Sequence, residues 1–334
     1  MQTWFYNPQP HILGTGVVGG VMEQQGPMNG AFDFFYPDSR AGKDSFEMGE
    51  QAIEERASLL AISKAGLLLE NIDLFISGDL LNQITSSGFT ARNLGLPYLG
   101  IFGACSTSMQ GLILASFFVS CGYAKYALAS TVSHNCTAEK QFRYPNEYGC
   151  QKPPYAQYTA TAAGSAVVGL AKPGSQIKVV CGTVGKVVDL GVTDPFQMGA
   201  AMAPAATDTI LTHLKDRQVE ANYYDAIVTG DLGFVGREIC WDLLSRSGFV
   251  YEKERFYDCG CLLYGKNPKV FSGGSGCGCC ASIAYGHFCK LLMEKKLKRI
   301  LVVATGALLS PLSSQQKESI PAISYAVALE GVDA

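Results

Sequence analysis

The apolar positions after Cys105 fall at helical spacing. Met109, Leu112, Ile113 and Phe117 recur at steps of three and four residues, which sets one face of a helix against a core. The run before them, Tyr98–Leu99–Gly100–Ile101–Phe102, is short and apolar and predicts a buried strand that breaks at Gly103–Ala104. Strand, tight turn, reactive side chain and helix together make the layout of a nucleophile elbow. A thiol near a helix N-terminus is favoured as thiolate, and the free N–H groups there can hold an oxyanion. A buried structural cysteine fits the same pattern, since free cysteine is among the most buried residue types.

Other elements follow from the same reading. Ile12–Val18 predicts a short strand turning into a glycine-rich loop at Gly14 and Gly16; no Lys-Ser/Thr follows, so it carries little for phosphate binding. A helix is predicted over about Ser45–Leu69, with Ala52, Ala57, Leu60 and Ala61 along one face. Strands are predicted at Leu74–Ser77, Tyr126–Ser130, Ala163–Leu170 and Ile177–Val188, with a long loop from Thr131 to about Pro154.

The second half of the chain repeats the first. Asn71–Leu80, with its Ser77–Gly78–Asp79, is echoed by Tyr223–Leu232, with Thr229–Gly230–Asp231. Tyr123–Ala129 is echoed by Leu297–Val303, and Gly164–Leu170 by Ile323–Leu329, in the same order. Repeats of this kind imply a duplicated α/β fold, two mixed sheets between helical layers, with halves at about 1–170 and 171–334.

Composition narrows the function. The 334 residues are 48% apolar and 16% charged with a formal charge of −3, which gives no field for nucleic acid. No secretory leader pattern follows Met1, so the twelve cysteines read as reduced thiols in a cytosol-like compartment. The run Leu112–Val119 is too short to span a bilayer. Cys259–Gly260–Cys261 and Cys277–Gly278–Cys279–Cys280 depart from the Cys-x-x-Cys spacing of metal knuckles, so neither a metal nor a cofactor is expected. Of the four histidines, His134 follows a strand and reads as a hydrogen-bonded loop residue, with ligand contact or base chemistry as the alternative. His11 and His213 stand without chemical company.

With elbow, duplication and order together, the chain resembles the thiolase-like superfamily, which includes the condensing enzymes and has a five-layer αβαβα fold. The Ala104–Cys105–Ser106 turn and Gly122–Ala127 look like its nucleophile half. The segment His134–Gly149, with Pro153–Pro154, Gln157 and Thr159–Gly164, resembles the stage V sporulation protein AD family of endospore formers. That resemblance implies binding of dipicolinic acid and work with other subunits of the spore inner-membrane channel. It also implies a cytoplasmic place in the forespore, peripheral to that membrane through partners. A homodimer is expected, through the strand that follows the elbow helix.

The resemblance also exposes departures. Condensing relatives place a histidine after the strand that here ends Gly230–Asp231, and an asparagine in the turn that here carries Cys277. Neither is present, and a thiol is a weak donor beside an amide or imidazole; losing such donors costs orders of magnitude in rate. The favoured reading is therefore a binding protein without catalysis. The alternatives are an acyltransferase using Cys105 on an acyl thioester, and a scaffold within the channel assembly. Candidate ligand contacts are Cys105 and Ser106 at the elbow, Cys277 opposite, and His134, Lys140, Arg143 and Tyr144 in the long loop, with Phe142 as a second ring to cover the ligand.

Overall fold

A computed structural model describes residues 1–142 and 152–332. Ten strands form its frame. The first half supplies β1 (Pro10–Gly19), β2 (Leu74–Gly78), β3 (Tyr98–Gly100), β4 (Tyr126–Ser133) and β5 (Ala162–Leu170). The second supplies β6 (Ile177–Val184), β7 (Ala226–Thr229), β8 (Phe256–Asp258), β9 (Arg299–Ala307) and β10 (Ala322–Gly331). The strand order is β3-β2-β4-β5-β1 in one sheet and β8-β7-β9-β10-β6 in the other. In each, the first three strands run parallel and the last two join antiparallel. The three repeated segments lie on β2 and β7, β4 and β9, and β5 and β10, so each sequence echo marks an equivalent pair of strands. The sheets meet where His11 and Ile12 of β1 pair with Lys178 and Ile177 of β6, which joins them into one continuous ladder.

Helices complete the layers. Outside the first sheet lie α1 (Phe46–Lys64) and α2 (Thr85–Leu94); between the sheets α3 (Thr107–Ser120); and after β4 comes α4 (Asn135–Phe142). Outside the second sheet lie α5 (Met198–Arg217) and α6 (Gly233–Arg246); α7 (Cys259–Tyr264) follows β8. The last, α8 (Cys277–Ile283), runs on through a π turn at Ala284–Phe288. Helices α3 and α8 touch each other between the two sheets, and α3 packs on β4, β5, β9 and β10. Met109, Leu112, Ile113, Ile283 and Phe288 are fully buried in that middle layer, where burying each large apolar side chain contributes roughly 1.5–3 kcal/mol. Among the described residues no helix is long and apolar enough to cross a membrane.

Several local expectations change. β1 runs unbroken through the glycines because α1 lies against it. A Cβ on Gly16 would sit 2.1 Å from the Ala57 carbonyl oxygen, and one on Gly14 2.5 Å from that of Ala61. These glycines admit a helix, not a phosphate. Helix α1 starts where Ser45 caps the Met48 N–H at 3.2 Å and stops at Lys64, short of Leu69. β4 continues to Ser133 and α4 occupies the first part of the presumed loop. β6 ends at Val184 because Val188 joins Ala322 only through an isolated bridge. β3 is a half-exposed edge strand rather than a buried one. β4, the strand after the elbow helix, is hydrogen-bonded on both sides, by β2 and β5. It has no free edge for a partner; among the described residues β3, before the helix, does.

Candidate functional site

The elbow is a tightly tied turn. Ala104 takes a left-handed φ of 50° just before Cys105, a conformation that costs a non-glycine residue roughly 1–2 kcal/mol. The turn is held by Ser106 Oγ donating to Gly103 O at 2.5 Å, Thr107 Oγ1 donating to Ala104 O at 2.7 Å, and Gly103 N–H donating to Thr107 Oγ1 at 3.0 Å. Ser106 N–H and Thr107 N–H close the turn on the carbonyls of Gly103 and Ala104. Ser106 is fully buried with its hydroxyl spent on the backbone. The turn nests against β9, where a Cβ on Gly306 would lie 2.2 Å from Gly103 O.

Cys105 lies within charge range of Asp231, from the loop after β7 in the other half. Asp231 is fully buried. Its Oδ2 accepts from Gly276 N–H at 2.8 Å and its Oδ1 from Thr305 Oγ1 at 2.8 Å. Burial pushes Asp231 up to about 7 against these bonds. Burial, and then the charge of Asp231, push the Cys105 thiol well above its ordinary value. This reverses the expectation of a thiolate: the helix terminus is outweighed by desolvation and by a like charge.

The second half mirrors the arrangement. Cys277 opens α8 as Cys105 precedes α3, and it lies within charge range of Asp79, the counterpart of Asp231. Its thiol donates to Val132 O at 3.0 Å, so it does not face an oxyanion position at the elbow. Asp79 is buried and ties the next loop, accepting from Leu81 N–H and Ser87 N–H, each at 2.8 Å. Glu50 accepts from Ser86 Oγ at 3.1 Å and Thr137 Oγ1 at 2.9 Å, and Glu54 accepts from Ser77 Oγ. Burial pushes Glu54 up to about 7 and Glu50 well up. Each half thus sets the cysteine of its central helix beside the aspartate of the other half.

Leu80 and Phe142 pack over Cys105 and Cys277. Both also line an open cleft of about 420 Å³ with Ile101, Phe102, Leu308 and Pro311, a largely apolar volume in the range of small-molecule sites. The cleft is walled on one side by Gln83 and Ile84, which hold φ values of 58° and 46°.

The remaining candidates separate. Lys140 is exposed and pairs with Glu47 at 2.6 Å. His134 is buried, with Nε2 2.6 Å from Ser39 O and Nδ1 accepting from Cys136 N–H at 3.1 Å. Both ring nitrogens are therefore engaged by backbone, and burial lowers its pKa. His213 does have company: Thr183 Oγ1 and Tyr224 OH each lie 2.6 Å from its ring nitrogens. Arg143 and Tyr144 lie outside the described residues. Among the described residues no three His, Cys, Asp or Glu side chains are grouped to hold a metal ion. Asp231, within charge range of Cys105 and held by Thr305, is the part the sequence reading missed. The repeated Gly-Asp after β2 and β7 was its signal.

Two five-stranded sheets in the same order, a helical layer between them and a cysteine elbow at their junction define a thiolase-like protein. The fold is similar to that of 3-oxoacyl-[acyl-carrier-protein] synthase III from Aquifex aeolicus (TM-score 0.60, 16% identity, 96% of this chain and 99% of that one). It is equally similar to human mitochondrial 3-ketoacyl-CoA thiolase (TM-score 0.61, 12% identity, 97% and 98%). The chain belongs to the stage V sporulation protein AD family, whose model matches residues 1–330. It is 48% identical over 329 residues to stage V sporulation protein AD of Bacillus subtilis, covering 98% of this chain and 96% of that protein.

Proposed function

We propose that this sporulation protein binds dipicolinate in the cleft lined by Leu80 and Phe142, which pack on Cys105, without turning it over, and serves the spore inner-membrane channel that moves the acid. The ligand follows from the family resemblance. The absence of turnover rests on one observation: the thiol at the nucleophile position is only 6% exposed, and that burial pushes its pKa up. A thiolate, not a thiol, attacks a thioester. The apolar lining of Leu80, Ile101 and Phe142 suits a flat ring. Lys140 can leave Glu47 at little cost to meet a carboxylate, because an exposed ion pair contributes only about 0–1 kcal/mol. The remaining parts of the reading are a forespore location, contact with channel subunits and a homodimer joined along β3.

Calorimetric titration with dipicolinate, beside incubation with acetyl and malonyl thioesters, tests the reading. Saturable binding of dipicolinate with no thioester consumption above a Cys105→Ala control is expected. Thioester turnover well above that control overturns it in favour of an acyltransferase.

A further inference from the structure

The helix that continues α8 ends at Cys289–Met293, and the turn from there into β9 carries Lys290, Lys295, Lys296 and Lys298, all exposed. The duplication supplies a control. The equivalent turn, from α3 into β4, closes with the same main-chain bonds. Cys121, Gly122, Tyr123 and Ala124 N–H donate to the carbonyls of Phe117, Val119, Phe118 and Phe118 at 2.9, 3.1, 2.9 and 3.2 Å. Glu294, Lys295, Lys296 and Leu297 N–H donate to those of Lys290, Leu292, Leu291 and Leu291 at 2.8, 3.1, 2.9 and 3.2 Å. Asp73 Oδ2 then accepts from Lys125 and Tyr126 N–H, and Asp225 Oδ2 from Lys298 and Arg299 N–H, at 2.7 and 2.9 Å in each pair. This register stands one residue off the sequence echo. It puts Lys290, Lys295 and Lys296 where the first half has Phe117, Gly122 and Tyr123. Lys295 holds a left-handed φ of 57° where Gly122 holds 76°, a place that favours glycine. A helix C-terminus attracts cations, yet α3 has no basic residue in its last turn. The turn therefore closes without these three lysines. Among the described residues Lys290, Lys295 and Lys298 make no ion pair. Lys296 pairs with the half-exposed Glu294 at 2.8 Å, and Lys290 lies within charge range of that same carboxylate and of His287.

We propose that this lysine turn docks the protein directly on an anionic phospholipid surface. The inference goes beyond membrane contact through channel subunits and needs no ligand in the cleft. The whole chain carries a formal charge of −3, so attraction to an anionic surface has to be local. Here four lysines face one glutamate along residues 290–298. Ammonium groups on flexible stems suit a diffuse layer of headgroups, whereas a fixed carboxylate partner favours the planar fork of arginine. Met293, 41% exposed among the lysines, offers an apolar side chain to the interface. Each lysine near an anionic bilayer strengthens attachment about fivefold. β9 runs from this turn to Leu308 at the cleft, nine residues or about 30 Å, so docking here keeps the bilayer away from the cleft.

The test is co-sedimentation of the whole chain with two kinds of vesicle, phosphatidylcholine alone and phosphatidylcholine mixed with phosphatidylglycerol, at low and at physiological salt. Binding to the mixed vesicles only, weakening as salt rises, is expected. Lys295→Gly is expected to weaken that binding about fivefold while raising the urea midpoint, because glycine suits the left-handed position. Adding Lys290→Gln and Lys296→Gln is expected to bring the loss to about a hundredfold, with dipicolinate binding as in the native chain. No sedimentation with the mixed vesicles at low salt, equal binding to both kinds, or unchanged binding in the triple variant overturns the inference. Salt-dependent binding to soluble polyglutamate without binding to the mixed vesicles also overturns it, and gives the turn to an acidic protein segment instead. The native chain's lipid and salt dependence needs no variant and stands if the triple variant fails to fold.

Discussion

Asp231, a fully buried carboxyl from the opposite half of the duplicated fold, lies within charge range of the Cys105 thiol. The resemblance to condensing enzymes implies a histidine at that place. Here it supplies a buried carboxyl, and the chemistry of the elbow follows from that exchange. A nucleophile needs its negative charge stabilised, and a neighbouring carboxylate does the opposite.

Cys105 is therefore expected to react slowly. It is only 6% exposed, whereas Cys121 is open to solvent. Brief alkylation at pH 7.5 followed by peptide mapping should label Cys121 first and Cys105 late. Preferential labelling of Cys105 would restore the thiolate reading.

The buried carboxyls set a pH dependence. Glu54 is raised to about 7 in the folded chain from about 4.5 in the open one. The folded state therefore holds more protons than the unfolded state between those values. Stability falls as pH rises through that window and levels off above it. Histidines with lowered pKa, such as His213 at about 3, work in the other sense, so the native curve mixes both. The difference between native protein and Glu54→Gln isolates the carboxyl. Relative to native, the variant should gain on the order of 2–3 kcal/mol on going from pH 5 to pH 8 by urea denaturation. An unchanged difference between the two pH values would mean that Glu54 titrates normally.

Gly16→Ala should destabilise the chain by about 1–3 kcal/mol, because the added methyl meets the Ala57 carbonyl and pushes α1 off β1. A fall in the urea midpoint checks this. A variant as stable as the native chain would return these glycines to a loop role.

A homodimer is expected through β3, whose outer edge is unpaired among the described residues. Sedimentation should give about twice the 35.7 kDa chain mass, and Phe102→Glu, an exposed aromatic just past that edge, should shift it towards monomer. A monomer in the native protein at micromolar concentration contradicts the dimer.

The repeat carried most of the fold. Three short echoes placed β2 with β7, β4 with β9 and β5 with β10, because equivalent strands keep similar apolar patterns. What escaped were features that depend on packing between segments. Gly14 and Gly16 looked like a turn, since nothing local shows that α1 must approach them. Asn135–Phe142 looked like loop because a short, polar helix has weak periodicity. In the site, the elbow and Cys277 were legible from their turns, and Asp231 was visible as a missing histidine. Its closeness to Cys105, and that of Asp79 to Cys277, required the two halves to be brought face to face. The sign of the Cys105 shift required knowing that the thiol is buried.

The central claim is that the elbow of this thiolase-like chain is a receptor for dipicolinate. A crystal soaked with dipicolinate tests it most directly. The expected result is the ring seated against Leu80 and Phe142, one carboxylate at the Cys105 thiol and no bond to sulfur. An empty cleft at saturating ligand, or the ring seated elsewhere on the molecule, would contradict the account.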